Sequence, residues 1–600
     1  QRIVKNESLK FPMEKSAKEE QIGNVRHSLA HLLAMAVSKK MPDAKLGIGP
    51  VIENGFYYDF LLPRPLKNEE LPEIENVIKR LIKQRMIFSG KEISEKEAEI
   101  LFKNQPFKLE LIKELAGGGL SVYATGARGI GDPKFNPADS FIDLCRGGHV
   151  QNASEINPDA FKLTKTAGAY WRGDEKNPML TRIYGLAFAS KKELDDYLEL
   201  QKEIEKRDHR RLGEKLDLFS FHDVAPGAPF WHQNGMTVVN ELKKFIGDLQ
   251  REAGYQETST PVLVKEILYE TSGHLAHYKE NLFELEIEKE KFDLKAMNCP
   301  ESTFIFSGKL RSYKDLPVRL SEFGLLHRRE RSGTLTGLFR VYAFTQDDAH
   351  IYCREDQIQK EISDVLSLIK KIHKTFGLKT NFFLSTKPEK AMGDPKLWEK
   401  AETALKEALK KNRLAYEINE GDGAFYGPKI DVNVSDSLGR DWTLATIQLD
   451  FQMPQRFNLS FIDEKGEKKK PVMIHRSSIG SFERFIGLLL EHFSGNLPLW
   501  LAPVQVSVLP IGKNHLKYKK NVFDALAENG IRAELRSENE SVGKKIREGE
   551  IRKIPHLLIV GDKEMKSKSV AVRKREKGDI GSVKLEKFIK RLAEEIKKKQ

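Results

Sequence analysis

The residues best suited to chemistry fall into two cysteine/histidine sets. The first is HSLAH (His27, His31), joined much later by DLCRGGHV (Cys145, His149). The i, i+4 spacing of His27 and His31 puts both imidazoles on one helical face. CRGGH brings a thiol and an imidazole together on a glycine-containing turn. These residue types suit a helix-surface pair, a four-ligand zinc site, a Cys–His covalent centre or a metal-free hydrolytic site that positions water. The second set is Cys299 in MNCP, His350 in FTQDDAH and His475 in MIHRSSIGSFER. These three lie far apart, and no compact CxxC-like motif marks them. Taken singly, Cys299 reads as a small core residue and the histidines as satisfied core or site residues.

The flanking strings add arginines. EFGLLHRRERSGTLTGLFRVYAFTQDDAHIYC predicts a strand over Val318–Glu330, a loop over Arg331–Leu338 with Gly333 and Gly337, and a second strand over Phe339–Cys353. Phosphoryl chemistry needs fixed cations where charge builds on oxygen, and a strand–loop–strand unit carrying arginines can supply them. An isolated Arg-x-Glu is more often a surface salt bridge; the whole string, with SIGSFERFIGLLLE later, is far more specific.

The elements that must position these residues follow from periodicity. Asn24–Lys39 has helical spacing, with Leu29, Leu32, Leu33 and Val37 apolar. Ala116–Gly126 is glycine-rich and predicts a hairpin or mobile loop. Lys191–Arg211 is charged with an apolar stripe of Leu194, Tyr197, Leu198 and Ile204, which predicts an amphipathic connecting helix. A large α/β block runs from Leu212 to Leu499. After Trp500, Val504, Val506 and Val508 alternate as a strand. Tyr518–Asn529 is helical and stops at Gly530, Ile531–Leu535 and His556–Val560 read as strands, and Val583–Lys599 as a final helix. The expected division is a tail (1–21), a mixed α+β domain (22–190), a linker helix (191–211), a central domain (212–499) and a C-terminal α/β module (500–600). No internal repeat, Walker-type loop or GxGxxG fingerprint is present.

Six hundred residues exceed one core. No apolar run approaches the roughly 18 residues needed to span a membrane, and QRIVKNESLKFPMEKSAKEE has no apolar core of the signal-peptide kind. Three cysteines cannot form a disulfide framework, so a reduced, cytoplasmic protein is expected. Of the net charge of +13, residues 501–600 carry +11, from 25 Lys+Arg against 14 Asp+Glu. Such a surface attracts phosphate backbones; the plain alternative is a solvated lysine-rich face.

Taken together, the strings resemble class II aminoacyl-tRNA synthetases: GYQETSTP ending at Pro261, the HRRERSG string and SIGSFERFIG stand for the three signatures. MNCP, QDDAH and PVMIHR, with an N-terminal block containing HSLAH, GFYYDF and AYWRGDEKNPMLTRIYG, resemble threonyl-tRNA synthetases in particular. The resemblance runs from about Gly23 to the C-terminus. It implies an antiparallel-sheet catalytic domain between an α+β editing domain and an α/β anticodon-binding domain. It further implies ATP with Mg2+, and one zinc held by Cys299, His350 and His475 with an open position. Arg328 and Arg484 would contact phosphates, Glu330 the adenine amino group, and Arg340 phosphate or carboxylate. Asp348 would accept from the threonine hydroxyl and Tyr426 contact its amino group, with Gln346 and Gln448 in support. His274 would act in transfer to the tRNA 3′ end.

The selection problem explains the second set. Valine lacks the hydroxyl and is rejected by roughly 10⁴ or more in comparable sites, whereas serine lacks one methyl and is discriminated by only about 1–3 kcal/mol. The resemblance therefore assigns His27, His31, Cys145 and His149, with Asp143 and Tyr58, to metal-free hydrolysis of Ser-tRNA(Thr). Asn539 in NESVG, Glu564 in VGDKE and Arg573 in VAVRKRE would read anticodon bases. The first signature implies a homodimer. The implied partners are tRNA(Thr), ATP and L-threonine, with no membrane.

Several features depart from the family pattern. A small N-terminal β-rich domain common in bacterial members is not found, and truncation and natural absence look alike here. Glu301, Ser302 and Thr303 follow MNCP where the family continues with GH. Arg329 and Arg331 in HRRERSG replace residues of the common HRNEPSG. The rival readings are a synthetase for another amino acid, such as proline, and a paralogue that binds nucleic acid without charging tRNA.

Overall fold

The computed structural model describes residues 17–115, 118–331, 333–536 and 539–599. The chain divides into two compact units, one ending at Lys202 and the other beginning at Glu203. No helix among the described residues is long and apolar enough to cross a membrane.

The first unit is built on the helix Ala17–Lys40. Acidic Glu19 and Glu20 in its first turn and Lys39 and Lys40 in its last complement the helix dipole. Its residues Ser28–Val37 are buried on every side, which marks a helix wrapped by its neighbours. Two antiparallel sheets belong to this unit. One carries Gly55–Leu61, Met179–Ala187 and Phe161–Tyr170 in that order; the other is Ile87–Ile93, Leu120–Gly126 and Phe141–Leu144.

Two expectations are corrected here. Ala17–Gln21 are not tail but the first turns of that helix, and residues 1–16 lie outside the described residues. Of the glycine-rich stretch Ala116–Gly126, Ala116 and Gly117 lie outside the described residues, and Leu120–Gly126 is the middle strand of its sheet. Leu120, Val122 and Ala124 alternate into the core, so burial outweighs the turn signal of the glycines.

The connecting helix Lys191–Arg207 does not continue to Arg211. Asp208 interrupts it and caps a second helix, His209–Lys215, by accepting the backbone N–H of Arg210 at 2.8 Å.

The second unit centres on an eight-stranded sheet. Its order is Gln256–Glu257, Val318–His327, Ala343–Cys353, Val472–Ser481, Asp441–Asp450, Lys429–Ser435, Lys379–Ser385 and Tyr416–Asn419. All pairings are antiparallel except the two outermost. The helices Gln233–Glu252, Ile358–Thr375 and Phe482–His492 bury apolar faces in the surrounding cores. The long strands are shorter at the loop end than predicted: the first stops at His327 and the second starts at Ala343. Between them, the N–H of Phe339 reaches the carbonyl of Thr336 and the N–H of Thr336 that of Arg340, so Gly337–Phe339 form a tight turn and the strand does not begin at Phe339. Ser332 lies outside the described residues.

The C-terminal module is a five-stranded sheet in the order Ala533–Leu535, Val506–Pro510, His556–Val560, Ser569–Lys574, Gly578–Lys584. The first three strands run parallel and the last two antiparallel. Val583 and Lys584 finish the last strand, and the final helix is Leu585–Lys597.

Candidate active sites

Strand pairing assembles the central set. His350 lies directly opposite His475, and His475 opposite Gln448 on the next strand. Side chains alternate along a strand, so Gln346, Asp348 and His350 share one face. Cys299 comes from outside the sheet, as the first residue of the helix Cys299–Ser307. One ligand atom from each of Cys299, His350 and His475 lies within 4.8 Å of the others, and all three residues are buried. A thiol and two imidazoles so placed fit a zinc ion with an open coordination position. Burial holds the Cys299 thiol well above its usual range and the His350 imidazole well below. Uncharged imidazole is the form that binds metal, whereas the thiol needs the metal's charge to ionise. His475 Nε2 sits 3.1 Å from Asp450 Oδ2, and Asp450 is itself fixed by the N–H groups of Gln452 and Met453 at 2.6 and 3.0 Å. A carboxylate so held orients an imidazole.

Polar groups surround this set. The Asn298 amide donates to Asp348 Oδ2 at 2.8 Å, and burial pushes the Asp348 carboxyl up to about 6. Tyr426 donates to Gln448 Oε1 and its ring lies 5.0 Å from that of His475. Gln346 Oε1 is buried without a hydrogen-bond partner among the described residues. His274 Nδ1 is 2.8 Å from Ser272 Oγ, and burial followed by the nearby His475 lowers its imidazole to about 3. On the opposite face, Asp347 takes Arg476 Nη1 at 2.9 Å, the N–H of Ser478 at 3.0 Å and Gln250 at 2.7 Å. That fully buried pair locks the two histidine strands together. Removing one partner of such a pair costs about 3–5 kcal/mol.

The arginines lie beyond. Arg328 donates to the carbonyl of Ala296 at 3.1 Å, and Arg484 to that of Phe339 at 3.1 Å. Burial, then Arg328 and Arg340, lower the Arg484 pKa. Arg340 and Glu330 pair with each other at 2.9 Å.

The N-terminal set is gathered as tightly. His27, His31, Cys145 and His149 each place one ligand atom within 4.8 Å of the rest. Cys145 Sγ is 3.5 Å from His27 Nε2 and 3.2 Å from His149 Nε2. Gly147 and Gly148 take φ of +102° and +81°, conformations that glycine alone adopts freely, and this turn folds His149 back over Cys145. His149 stacks on His27 at 4.1 Å and on Phe88 at 5.3 Å, with Tyr123 at 4.8 Å. Burial holds all three imidazoles below their usual range and pushes the Cys145 thiol up to about 11. A thiol so protonated is a poor nucleophile, which disfavours the covalent reading.

Beneath them, Asp143 accepts from Tyr58 and pairs at 2.5 Å with Lys108, a pair buried on both sides. Lys108 also lies 5.5 Å over the Tyr58 ring. Sequence reasoning missed Lys108, because a lysine in the helix Pro106–Leu115 carries no signal of burial. It also missed Asn298 and Asp450. Asn298 stands in MNCP beside Cys299 and could have been found there.

Comparison with known proteins decides the family. The profile for the tRNA synthetase class II core domain (G, H, P, S and T) matches residues 283–493, and that for the anticodon binding domain 505–595. The threonyl and alanyl tRNA synthetase second additional domain matches 120–184. The threonine–tRNA ligase of Acetivibrio thermocellus is 49% identical over 579 residues, 96% of this chain and 89% of that protein. That of Thermotoga maritima is 48% identical over 575 residues, 95% of this chain and 88% of its own. The chain belongs to the threonine–tRNA ligase family. A crystal structure of the RNA binding domain of threonyl-tRNA synthetase from Cryptosporidium parvum is 40% identical with a TM-score of 0.63, covering 64% of this chain and 98% of that one.

In this threonine–tRNA ligase family member, the anticodon-domain residues sit as follows. Asn539 lies in the turn before the helix Val542–Ile551. Arg573 donates to Glu550, at the end of that helix, at 2.8 Å. Glu564 accepts the N–H of Gly561 at 3.1 Å, capping the helix Asp562–Ser567.

Proposed function

We propose that the chain activates L-threonine with ATP and Mg2+ to threonyl-adenylate, transfers it to tRNA(Thr), and hydrolyses Ser-tRNA(Thr). The observation that carries this reading is the separation of two sets: a three-donor cluster in the class II core, and a neutral histidine–thiol cluster that joins Cys145 and His149 of the second additional domain to His27 and His31 of the preceding helix. Cys299, His350 and His475 would hold zinc, which when bound supplies a Lewis-acid position for the amino and hydroxyl groups of threonine. Asp348 accepts from the hydroxyl, while Tyr426, fixed by Gln448, faces the amino group and Gln346 supports the pocket. Arg328 and Arg484 neutralise charge developing on phosphate. Glu330 receives the adenine amino group within its pairing to Arg340. His274, held neutral by burial, acts in transfer by accepting a hydrogen bond that orients the tRNA terminal hydroxyl.

In editing, His27, His31 and His149 remain neutral and orient water and the 3′-terminal adenosine. Cys145 acts as a positioning group, and Lys108, Asp143 and Tyr58 form the polar floor. Asn539, Glu564 and Arg573 read anticodon bases. The functional division is editing from the helix at Ala17 through residue 190, a linker helix Lys191–Arg207, catalytic through residue 499 and anticodon 500–600, working as a cytoplasmic homodimer.

The deciding experiment is ATP–pyrophosphate exchange against all amino acids on protein of measured zinc content. Strong exchange with threonine, weak with serine and negligible with valine, at about one zinc per chain, is the expected result. No exchange with any amino acid from folded, zinc-loaded protein would refute it.

A further inference from the structure

A third cluster of possible ligands, Asp208, His209 and Glu491, lies apart from both sites. It does not have the makings of a metal centre, because its atoms are already engaged. Glu491 Oε1 takes the His209 ring Nδ1–H at 2.7 Å and the His209 backbone N–H at 3.1 Å, while Oε2 takes Arg440. Asp208 caps its helix and holds Arg210. The remaining ring nitrogen, His209 Nε2, accepts the backbone N–H of Leu338 at 2.9 Å. A carboxylate on one nitrogen and a donor on the other fix a single neutral tautomer.

Leu338 belongs to the segment that returns from the arginine loop to the central strand. The His209 ring packs 4.2 Å from Phe339, and the carbonyl of Phe339 holds Arg484. Gly337 completes the fit. It takes φ of +48°, and a Cβ there would stand 2.3 Å from His209 Nε2. The imidazole thus occupies the space that a side chain at residue 337 would need. His209 is about 1% exposed, so in the folded chain the ring, not bulk water, receives the Leu338 N–H.

We infer that His209 is a positioning residue for ATP. Anchored by Glu491, it pins the returning limb at Leu338, so that the Phe339 carbonyl keeps the Arg484 guanidinium aimed and Arg340 stays in reach of Glu330. The inference rests on the reading of Arg484 and its neighbours as the ATP site. His209 touches no reactant; its effect passes through the backbone of residues 337–339.

The test is ATP–pyrophosphate exchange on the full chain, with the KM of ATP and of threonine measured separately. His209→Ala should raise the KM for ATP about tenfold and leave the KM for threonine and Ser-tRNA hydrolysis unchanged. His209→Gln, whose amide oxygen can accept the Leu338 N–H, should recover most of the loss. Gly337→Ala should reproduce the ATP defect by striking the ring. If His209→Ala does not fold, His209→Gln against Gly337→Ala decides by the same split. An ATP KM within about twofold of wild type in both His209→Ala and Gly337→Ala, or equal rises for ATP and threonine, would overturn the inference. Arg484→Ala, run in parallel, separates the two levels: an unaltered ATP KM there refutes the ATP-site reading itself.

Discussion

The two cysteine/histidine clusters use nearly the same side chains and hold them in opposite ways. In the central cluster, two imidazoles are cross-strand neighbours in the middle of a large sheet, and the third donor arrives from a helix terminus. Its surroundings are polar: Asp348, Asn298, Tyr426, Gln448 and Asp450. In the N-terminal cluster, the imidazoles come from a buried helix and a glycine turn; His149 stacks on His27 and Phe88, with Tyr123 tilted against it. The backbone determines the spacing of the first cluster; ring packing determines that of the second. Donor type is nearly the same in both, so it is the surrounding groups that distinguish the two clusters.

Five outcomes would break or sharpen this contrast. The largest effect is expected from His475→Ala, which should lose bound zinc and threonine activation together. Even orienting partners of metal ligands cost 10–100-fold, so loss of a ligand should exceed about 100-fold; Ser-tRNA hydrolysis should persist. Metal analysis with exchange and deacylation assays measures all three. Chelation should likewise remove activation but spare deacylation. Deacylation lost on chelation and restored by zinc would make the N-terminal cluster a metal site and erase the distinction.

Next in size is Lys108→Met. It strips the buried Asp143 of its cation, at a cost of about 3–5 kcal/mol, to be read from denaturant unfolding of the N-terminal unit. Ser-tRNA should accumulate while threonine exchange holds. His31→Ala should show the same functional split with a smaller loss of stability; unchanged serine clearance would count against the editing assignment.

The smallest effect concerns pH. His31 is buried with its imidazole held well below the usual range, so the folded unit binds fewer protons than the unfolded chain in mild acid. Its contribution is neutral above pH about 6.5. Stability then falls with pH below that point by up to about 1.4 kcal/mol per pH unit for this group. Thermal unfolding followed between pH 7.5 and 5.5 measures it, and a transition that does not move would mean that His31 stays in contact with water.

What could be read from the sequence, and what could not, follows the same division. Gln346, Asp348 and His350 alternate at the strand period, so their common face was legible once that strand was recognised. The i, i+4 pair His27 and His31 was equally legible on its helix. Lys108 and Asp450 were not, because each matters only through a partner brought close by tertiary packing. Leu120–Gly126 was misread because glycine signals a turn only where no paired strands lie on both sides. The break at Asp208 was missed because the apolar stripe gives no sign of interruption, although an aspartate at that point is a common helix cap. The C-terminal helix Val542–Ile551 and the antiparallel pair Ser569–Lys574 and Gly578–Lys584 went unread, since their apolar residues are sparse and their burial comes from the neighbouring parallel strands.

The direct opposition of His350 and His475 has a consequence for how the chain matures. The two residues are separated by 125 positions in sequence, so their strands meet only after most of the catalytic unit has been synthesised and collapsed. A slip of one residue in that pairing would turn one imidazole to the other face of the sheet, where Asp347 and Arg476 are sealed. An ion held by both rings together with Cys299 would therefore check strand register, and would add its binding energy only to correctly paired chains. Metal uptake during refolding would time the completion of the sheet.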